Sequence, residues 1–158
     1  MTALGRLVGA HASLTRALTA RLVDEHGLTM GEYEVLLLLA RAPDRQMRRI
    51  DLSREVRLSP SGVTRMLDRL EATGMVEKGF CRTDARVTYA VLTDRGFEKL
   101  RQSLPDHFEA IDRLLGERLE EDEIESLAEL LGRLSDVGDE ACDDAVAISR
   151  SGAEERTE

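Results

Sequence analysis

Apolar residues recur every three or four positions through most of the chain, and this spacing predicts a mainly helical protein. A first amphipathic helix is predicted over residues 4–24, and Gly27 is expected to end it. Thr29 and Glu32 have the types and spacing of a capping box, in which side chains and free backbone N–H groups satisfy one another. The capping box predicts a second helix, with a wide apolar face, that ends before Pro43.

Two further helices are predicted after Asp44–Arg48, a segment that we interpret as a loop. The first covers Ile50–Val56. Its inward-facing apolar residues are predicted to be Ile50, Leu52 and Val56. The second begins at Ser59, the predicted N-cap, with Pro60 at the first helical position, where the missing N–H costs no hydrogen bond. The predicted buried face of this second helix consists of Val63, Met66, Leu67 and Leu70.

Alternating apolar and polar residues flank a short arginine-rich segment, and this pattern predicts a β-hairpin. Gly74 is expected to end the preceding helix in the left-handed conformation. The two strands are predicted near 75–81 and 87–92, with a tight turn at 82–86.

Helical patterns return after the hairpin. Thr93 is predicted to cap a long helix that Pro105 kinks or breaks. A last helix is expected to start in the acidic segment that follows and to continue to about Ile148. Residues 149–158 are predicted to form a disordered tail.

Charge is distributed unevenly along the 158 residues. The net charge of −9 is unusual for a nucleic-acid-binding protein. Between Arg41 and Arg101, however, Lys and Arg outnumber Asp and Glu, whereas the rest of the chain is strongly acidic. Because a local basic face is sufficient to attract phosphates, the overall acidity does not exclude DNA binding.

Several function classes find little support in the residues. There is no glycine-rich phosphate loop, no nucleophile elbow and no clustered catalytic constellation, which argues against an enzyme. The three histidines and the two cysteines, Cys81 and Cys142, lack metal-ligand spacing, so neither a metal site nor a cofactor is expected. Without a signal peptide or a long apolar run, we expect a cytoplasmic protein with no membrane partner.

The segment from Leu58 to Thr93 combines a capped helix with a basic hairpin tip, which is the layout of a winged helix-turn-helix DNA reader. Opposite its buried face, the helix is predicted to present Ser61, Gly62, Arg65, Asp68 and Arg69, with Thr64 at the edge. Helix N-terminal N–H groups, with the hydroxyls of Ser59 and Ser61, are suited to hold a phosphate. A capped surface helix on any helical bundle is the alternative interpretation.

The predicted turn strengthens the DNA-binding interpretation. Arg82 and Arg86 flank Asp84, whose carboxylate can orient a guanidinium through a charge-assisted hydrogen bond. An oriented arginine at a hairpin tip suits a narrow, electronegative minor groove. A solvated hairpin with a local salt bridge is the alternative.

At these residues the sequence resembles the multiple antibiotic resistance regulator (MarR) family of bacterial transcription factors, over roughly residues 5–135. The most specific element is D-x-R-x-x-x-x-x-L-T, which is present here as Asp84, Arg86, Leu92 and Thr93, followed by Gly96. The segment SGVTRMLDRLEATGMVEK is similar to the family's recognition helix and first wing strand.

The resemblance implies a division of roles among the candidate DNA-binding residues. Ser61, Thr64, Arg65 and Arg69 would face the major groove, Arg86 would enter the minor groove, and Asp84 would brace the wing. Arg49 and Ser53 would contact backbone phosphates. Val87 departs from the family pattern, since members often carry a further arginine there, and Arg82 is the candidate substitute.

The resemblance also implies the architecture. We expect one mainly helical domain over 1–148, with a winged helix-turn-helix at about 29–100 and a small antiparallel β-hairpin as the wing. Dimerisation helices are expected at about 3–26 and 106–148. The homodimer would read a near-palindromic operator in double-stranded DNA, because twofold symmetry in the protein requires it in the site.

The sequence contains less information about the signal that controls the regulator. Family members often respond to small aromatic or phenolic effectors, and His11, Arg16 and Tyr33 are the candidate pocket residues, with ordinary packing as the alternative for His11 and Tyr33. The leading hypothesis is a repressor released by such an effector. The alternatives are redox sensing through Cys81, where Arg82 would lower the thiol pKa, and a winged helix that binds another protein.

Overall fold

The computed structural model describes residues 2–56, 58–80 and 87–134. They form six α-helices, a 3₁₀ turn and three short strands, so the expected mainly helical fold is confirmed. In chain order the elements are α1 (Ala3–His26), α2 (Met30–Arg41), the 3₁₀ turn (Pro43–Arg45), β1 (Gln46–Arg48), α3 (Arg49–Glu55), α4 (Pro60–Ala72), β2 (Val76–Phe80), β3 (Thr88–Leu92), α5 (Asp94–Gly116) and α6 (Glu121–Gly132). None of the helices in these ranges is long and apolar enough to cross a lipid bilayer.

The chain divides into two units. His26–Gln102 contains α2 to β3 and the start of α5, and we call it the reader unit. The second unit, which we call the helical unit, consists of Met1–Glu25 and the chain from Ser103 onward.

The start of α2 contains the predicted capping box. The Thr29 hydroxyl accepts a hydrogen bond from the Glu32 N–H at 3.3 Å, and the Glu32 carboxylate accepts one from the Thr29 N–H at 2.8 Å. The apolar face of α2 is fully buried at Val35, Leu36 and Leu39. This helix is therefore the centre of the reader unit's core.

The prediction of a loop over Asp44–Arg48 is wrong in part. Pro43–Arg45 forms a 3₁₀ turn, in which Asp44 and Arg45 both have positive φ, and Gln46–Arg48 forms strand β1. The backbone of β1 pairs antiparallel with β3, with Gln46 opposite Val91. A three-residue strand gives no readable alternation, and only its long-range partner makes it a strand.

The two strands of the hairpin lie where the sequence predicted them, as β2 and β3. They pair antiparallel, with Val76 opposite Leu92 and Phe80 opposite Thr88. The sheet order is β1-β3-β2, so β3 is central and buries Ala90 and Leu92. The turn between β2 and β3 lies outside the described residues.

Helix α4 begins and ends with the predicted caps. Ser59 has extended backbone angles and its Oγ accepts the Gly62 N–H at 3.2 Å. At the other end Gly74 has φ +72°, the Gly74 N–H donates to the Glu71 carbonyl, and the Met75 N–H donates to the Leu70 carbonyl. These two hydrogen bonds form a Schellman motif, which turns the chain from α4 into the wing.

Some side chains differ in orientation or burial from what the sequence predicted. Ile50 is half exposed, at 50%, although Leu52 beside it is fully buried. Ile50 is the second residue of the seven-residue helix α3, so it lies in the first turn. Its side chain is on the solvent side of that turn. In α4, Val63, Leu67 and Leu70 are buried as predicted, and Met66 is half-buried.

In the helical unit, Pro105 does not break α5, which continues to Gly116. Leu104 and Ala110, on the two sides of the proline, are buried, so a break here would leave buried backbone groups without hydrogen bonds, and a continuous helix is favoured. Helix α6 ends at Gly132, and its predicted continuation beyond residue 134 lies outside the described residues.

The apolar stripes of the helical unit are exposed in the single chain. On α1 the exposed large apolar residues are Leu4, Leu7, Val8 and Val23. On α6 they are Leu127, Leu130 and Leu131, and Leu134, which is 76% exposed, follows just after the end of this helix. A chain that leaves this much leucine in water has a surface suited to burial against another molecule.

Candidate nucleic-acid interface

The first turn of α4 carries small polar side chains at the surface. Ser59 and Ser61 are exposed, and their hydroxyl oxygens lie 3.1 Å apart. Thr64 is also exposed and donates to the Pro60 carbonyl at 2.9 Å. With Gly62 between them, these residues leave the helix start free of bulk, so a second backbone or a base edge can approach closely.

The two arginines of α4 are in different environments. Arg65 is exposed and makes no hydrogen bond or ion pair within 2–56, 58–80 and 87–134. Arg69, one turn later, donates to the Glu32 carboxylate from Nε at 3.0 Å and from Nη2 at 2.5 Å. Arg65 therefore has its full donor capacity available to a ligand, whereas Arg69 uses part of its capacity within the protein.

The partner of Arg69 is Glu32, a buried residue for which the sequence predicted only a role in the capping box. Burial alone would raise the pKa of Glu32. The hydrogen bonds from the Thr29 N–H, Arg69 and the Thr29 hydroxyl outweigh burial, and the pKa lies below its ordinary value. Glu32 is therefore ionised at neutral pH and gives Arg69 a permanent counter-charge.

The predicted phosphate contacts on α3 are also engaged inside the protein. Arg49 forms an ion pair with Glu71 of α4, and Glu71 lies 3.4 Å from Lys78 of β2. Ser53 is buried and its hydroxyl donates to the Ile50 carbonyl at 2.7 Å. Glu71 thus connects α3, α4 and the wing, a role that its place in the sequence did not indicate. The phosphate contacts of Arg49 and Ser53 stay predictions.

The Leu92-Thr93 pattern has a structural reason at the base of the wing. The Thr93 hydroxyl oxygen lies 2.7 Å from the Gly74 carbonyl oxygen, and it accepts the Gly96 N–H at 3.0 Å. Thr93 therefore caps α5 and at the same time ties it to the end of α4. A Cβ on Gly96 would lie 2.1 Å from the Met75 carbonyl oxygen, so this position requires glycine.

The wing tip contains the remaining candidates. Cys81, Arg82, Asp84 and Arg86 all lie outside the described residues. The minor-groove role of Arg86, the brace at Asp84 and the compensating role of Arg82 stay predictions.

The three candidate effector residues differ in exposure. His11 and Arg16 are exposed on α1, and Tyr33 is 4% exposed in the reader unit's core. None of them lines the reader unit's cavity of about 460 Å³ beside the end of α4. That cavity is lined by His26, Gly27, Thr73, Met75, Arg95, Glu98, Lys99 and Gln102.

Known proteins with similar sequences are transcriptional regulators. A family model described as the MarR family matches residues 26–87. The HTH-type transcriptional regulator MhqR of Bacillus subtilis (strain 168) is 32% identical over 112 residues, which cover 71% of this chain and 75% of MhqR. The HTH-type transcriptional repressor YetL of the same organism is 30% identical over 108 residues, covering 68% of this chain and 64% of YetL.

A solved structure agrees with the sequence matches. The crystal structure of Sco3205, a MarR family transcriptional regulator from Streptomyces coelicolor, in complex with DNA, superposes with a TM-score of 0.74 at 30% identity. The match covers 85% of this chain and 87% of Sco3205. The relatives and the fold are those of regulators and not of enzymes, as the sequence predicted. The chain belongs to the MarR family of DNA-binding transcriptional regulators.

Proposed function

We propose that this protein is a homodimeric transcriptional repressor that binds a near-palindromic operator through α4 and the wing, and that a small-molecule effector releases it. The observation that carries the proposal is the exposed start of α4, where Arg65 is unpaired among the described residues and the hydroxyls of Ser59 and Ser61 are also exposed. An unpaired guanidinium beside small residues is the arrangement that reads guanine O6 and N7 bidentately.

The comparisons support DNA as the ligand and repression as the output. Sco3205 was crystallised with DNA, and YetL is named a repressor. A protein that binds an operator in this way acts in the bacterial cytoplasm.

The DNA-binding test uses the full chain and a duplex selected from a random pool by the unmodified protein. Arg65→Ala and Arg86→Ala should each weaken binding by roughly 5- to 150-fold per half-site, which corresponds to about 1–3 kcal/mol for one specific arginine contact. The matched control is Arg113→Ala, which removes the same charge from an exposed ion pair of α5 and should leave affinity nearly unchanged.

The salt dependence separates this proposal from its alternative. A DNA-binding protein loses affinity steeply as salt rises, because counterions must be displaced from each phosphate that it contacts. Binding that ignores both salt and the arginine substitutions would instead indicate a winged helix that recognises another protein.

The dimer is supported by the exposed leucine stripes of α1 and α6. Sedimentation at micromolar concentration should give twice the chain mass of 17.6 kDa. Leu130→Asp should yield the monomer, because a buried unpaired carboxylate is costly at an apolar interface. An unmodified protein that sediments as a monomer would contradict the proposed assembly.

The proposed effector is a small aromatic or phenolic compound. His11, Arg16 and Tyr33 stay candidate pocket residues, although the burial of Tyr33 favours a core role. The cavity beside the end of α4 is a second candidate site, because Arg95 and Lys99 of its wall lie four residues apart on α5 and can pair with a carboxylate.

The effector proposal is tested by adding salicylate, benzoate or phenol to the protein–duplex complex. Release of DNA by at least one of them, at constant ionic strength, is the expected result. Persistent binding in all three, with release on oxidation that Cys81→Ser abolishes, would favour the redox alternative.

A further inference from the structure

The Glu32 carboxylate divides its two oxygens between two parts of the reader unit. Oε2 accepts hydrogen bonds from the Thr29 N–H and the Thr29 hydroxyl, both at 2.8 Å. Oε1 accepts from Nε and Nη2 of Arg69, at 3.0 and 2.5 Å. The side chain of Glu32 is 8% exposed, and the side chain of Arg69 is 61% exposed. One buried anion thus joins the start of α2 to the third turn of the recognition helix.

The atoms used by Glu32 leave a defined part of Arg69 free. A guanidinium has a side edge, formed by Nε and Nη2, and an end edge, formed by Nη1 and Nη2. Glu32 binds the side edge, so the end edge keeps its N–H donors, on a side chain that is 61% exposed as a whole. A charge-assisted pair fixes the direction of the group before any ligand arrives.

We propose that Glu32 is a positioning residue for DNA recognition, which holds the end edge of Arg69 toward a backbone phosphate. The inference rests on the proposed DNA binding through α4. A phosphate is the proposed ligand because Arg69 lies in the third turn of α4, and the N-terminal residues of a recognition helix are those that reach the bases. Prior orientation reduces the side-chain entropy that binding would otherwise remove.

A purely structural ion pair is the competing explanation. Glu32 and Arg69 are 37 residues apart in sequence, so their contact also ties α2 to α4. Such a tie alone would change the free energy of unfolding without changing how many phosphates the protein neutralises. The salt dependence of DNA binding therefore distinguishes the two explanations.

The experiment measures affinity for the selected duplex across a salt series, using the full chain with Glu32→Gln, Arg69→Ala and both substitutions. Arg69→Ala should lower the magnitude of the salt slope by about 2, since the proposed dimer loses one phosphate contact in each of its two half-sites. Glu32→Gln should weaken binding by about 2- to 150-fold when Arg69 is present, the range expected for coupled neighbours. It should have no further effect when Arg69 is already alanine.

The control variant is Glu125→Gln, on the exposed polar side of α6, which makes the same change of charge in a residue of the helical unit. It should leave affinity unchanged or slightly higher, because it only lessens the repulsion of DNA. Unchanged affinity and slope in Glu32→Gln would overturn the proposal. Equal losses from Glu32→Gln with and without Arg69 would overturn it too, because Glu32 would then act by another route.

Two further measurements keep the test decisive. If Glu32→Gln unfolds at the assay temperature, Arg69→Lys takes its place. A lysine keeps the positive charge, but its ammonium lacks the planar guanidinium's separate second edge for a phosphate once Glu32 binds it. The affinity for DNA should therefore fall. Retained affinity would refute the proposed two-edge arrangement of Arg69. Absence of salt-dependent binding in the unmodified protein would instead refute the proposed DNA binding itself.

Discussion

Gly96 is the position where a single methyl group should disturb the fold most directly. An alanine Cβ there would lie 2.1 Å from the Met75 carbonyl oxygen and 2.7 Å from Leu92 Cδ1. An ordinary carbon–oxygen contact is about 3.3 Å, so the backbone at Met75 would have to move on the order of 1 Å relative to α5. The nearest obstacle is backbone and not the end of a flexible side chain, so no rotamer change relieves the overlap.

We expect Gly96→Ala to lower the free energy of unfolding by about 1–3 kcal/mol, the usual cost of overpacking a closed site. Urea denaturation at fixed protein concentration measures this, since the stability of the proposed dimer would depend on concentration. Gly116→Ala is the matched control: apart from its chain neighbours and the backbone of its own helix, no described atom lies within 4 Å of an added Cβ, so the change should be neutral or stabilising by up to about 1 kcal/mol. Equal stability of Gly96→Ala and the unmodified protein would refute the argument from close contact.

Two other predictions concern stability. Thr93→Val should lower the free energy of unfolding by about 0.5–2 kcal/mol, because it removes the cap of α5 and the hydroxyl beside the Gly74 carbonyl; retention of full stability in the same urea assay would contradict this. Burial lowers the pKa of His107 below its ordinary 6.5, so the unfolded chain binds more protons and stability should fall as pH drops below 6.5. His107→Leu should flatten that part of a pH series of thermal melts, and an unchanged slope would show that another group causes it.

The features that sequence predicted well are those set by residues within about four positions of one another. The capping box at Thr29, the N-cap at Ser59 and the left-handed Gly74 are examples, and each is confirmed. Their hydrogen bonds close within a single turn of chain, so residue type and spacing are sufficient to determine them. The same holds for the two wing strands, whose alternation is itself local.

Contacts between distant segments were decided only by the tertiary structure. Strand β1 exists because β3 pairs with it, and three residues carry no periodic signal of that. Arg69 was predicted to lie on the face of α4 opposite the buried residues, but the sequence did not indicate that Glu32, 37 residues earlier, binds one edge of its guanidinium. Helical spacing states which way a side chain points from its own axis. It does not state what another element brings to that side, and this is why the partner of Arg69 required the structure.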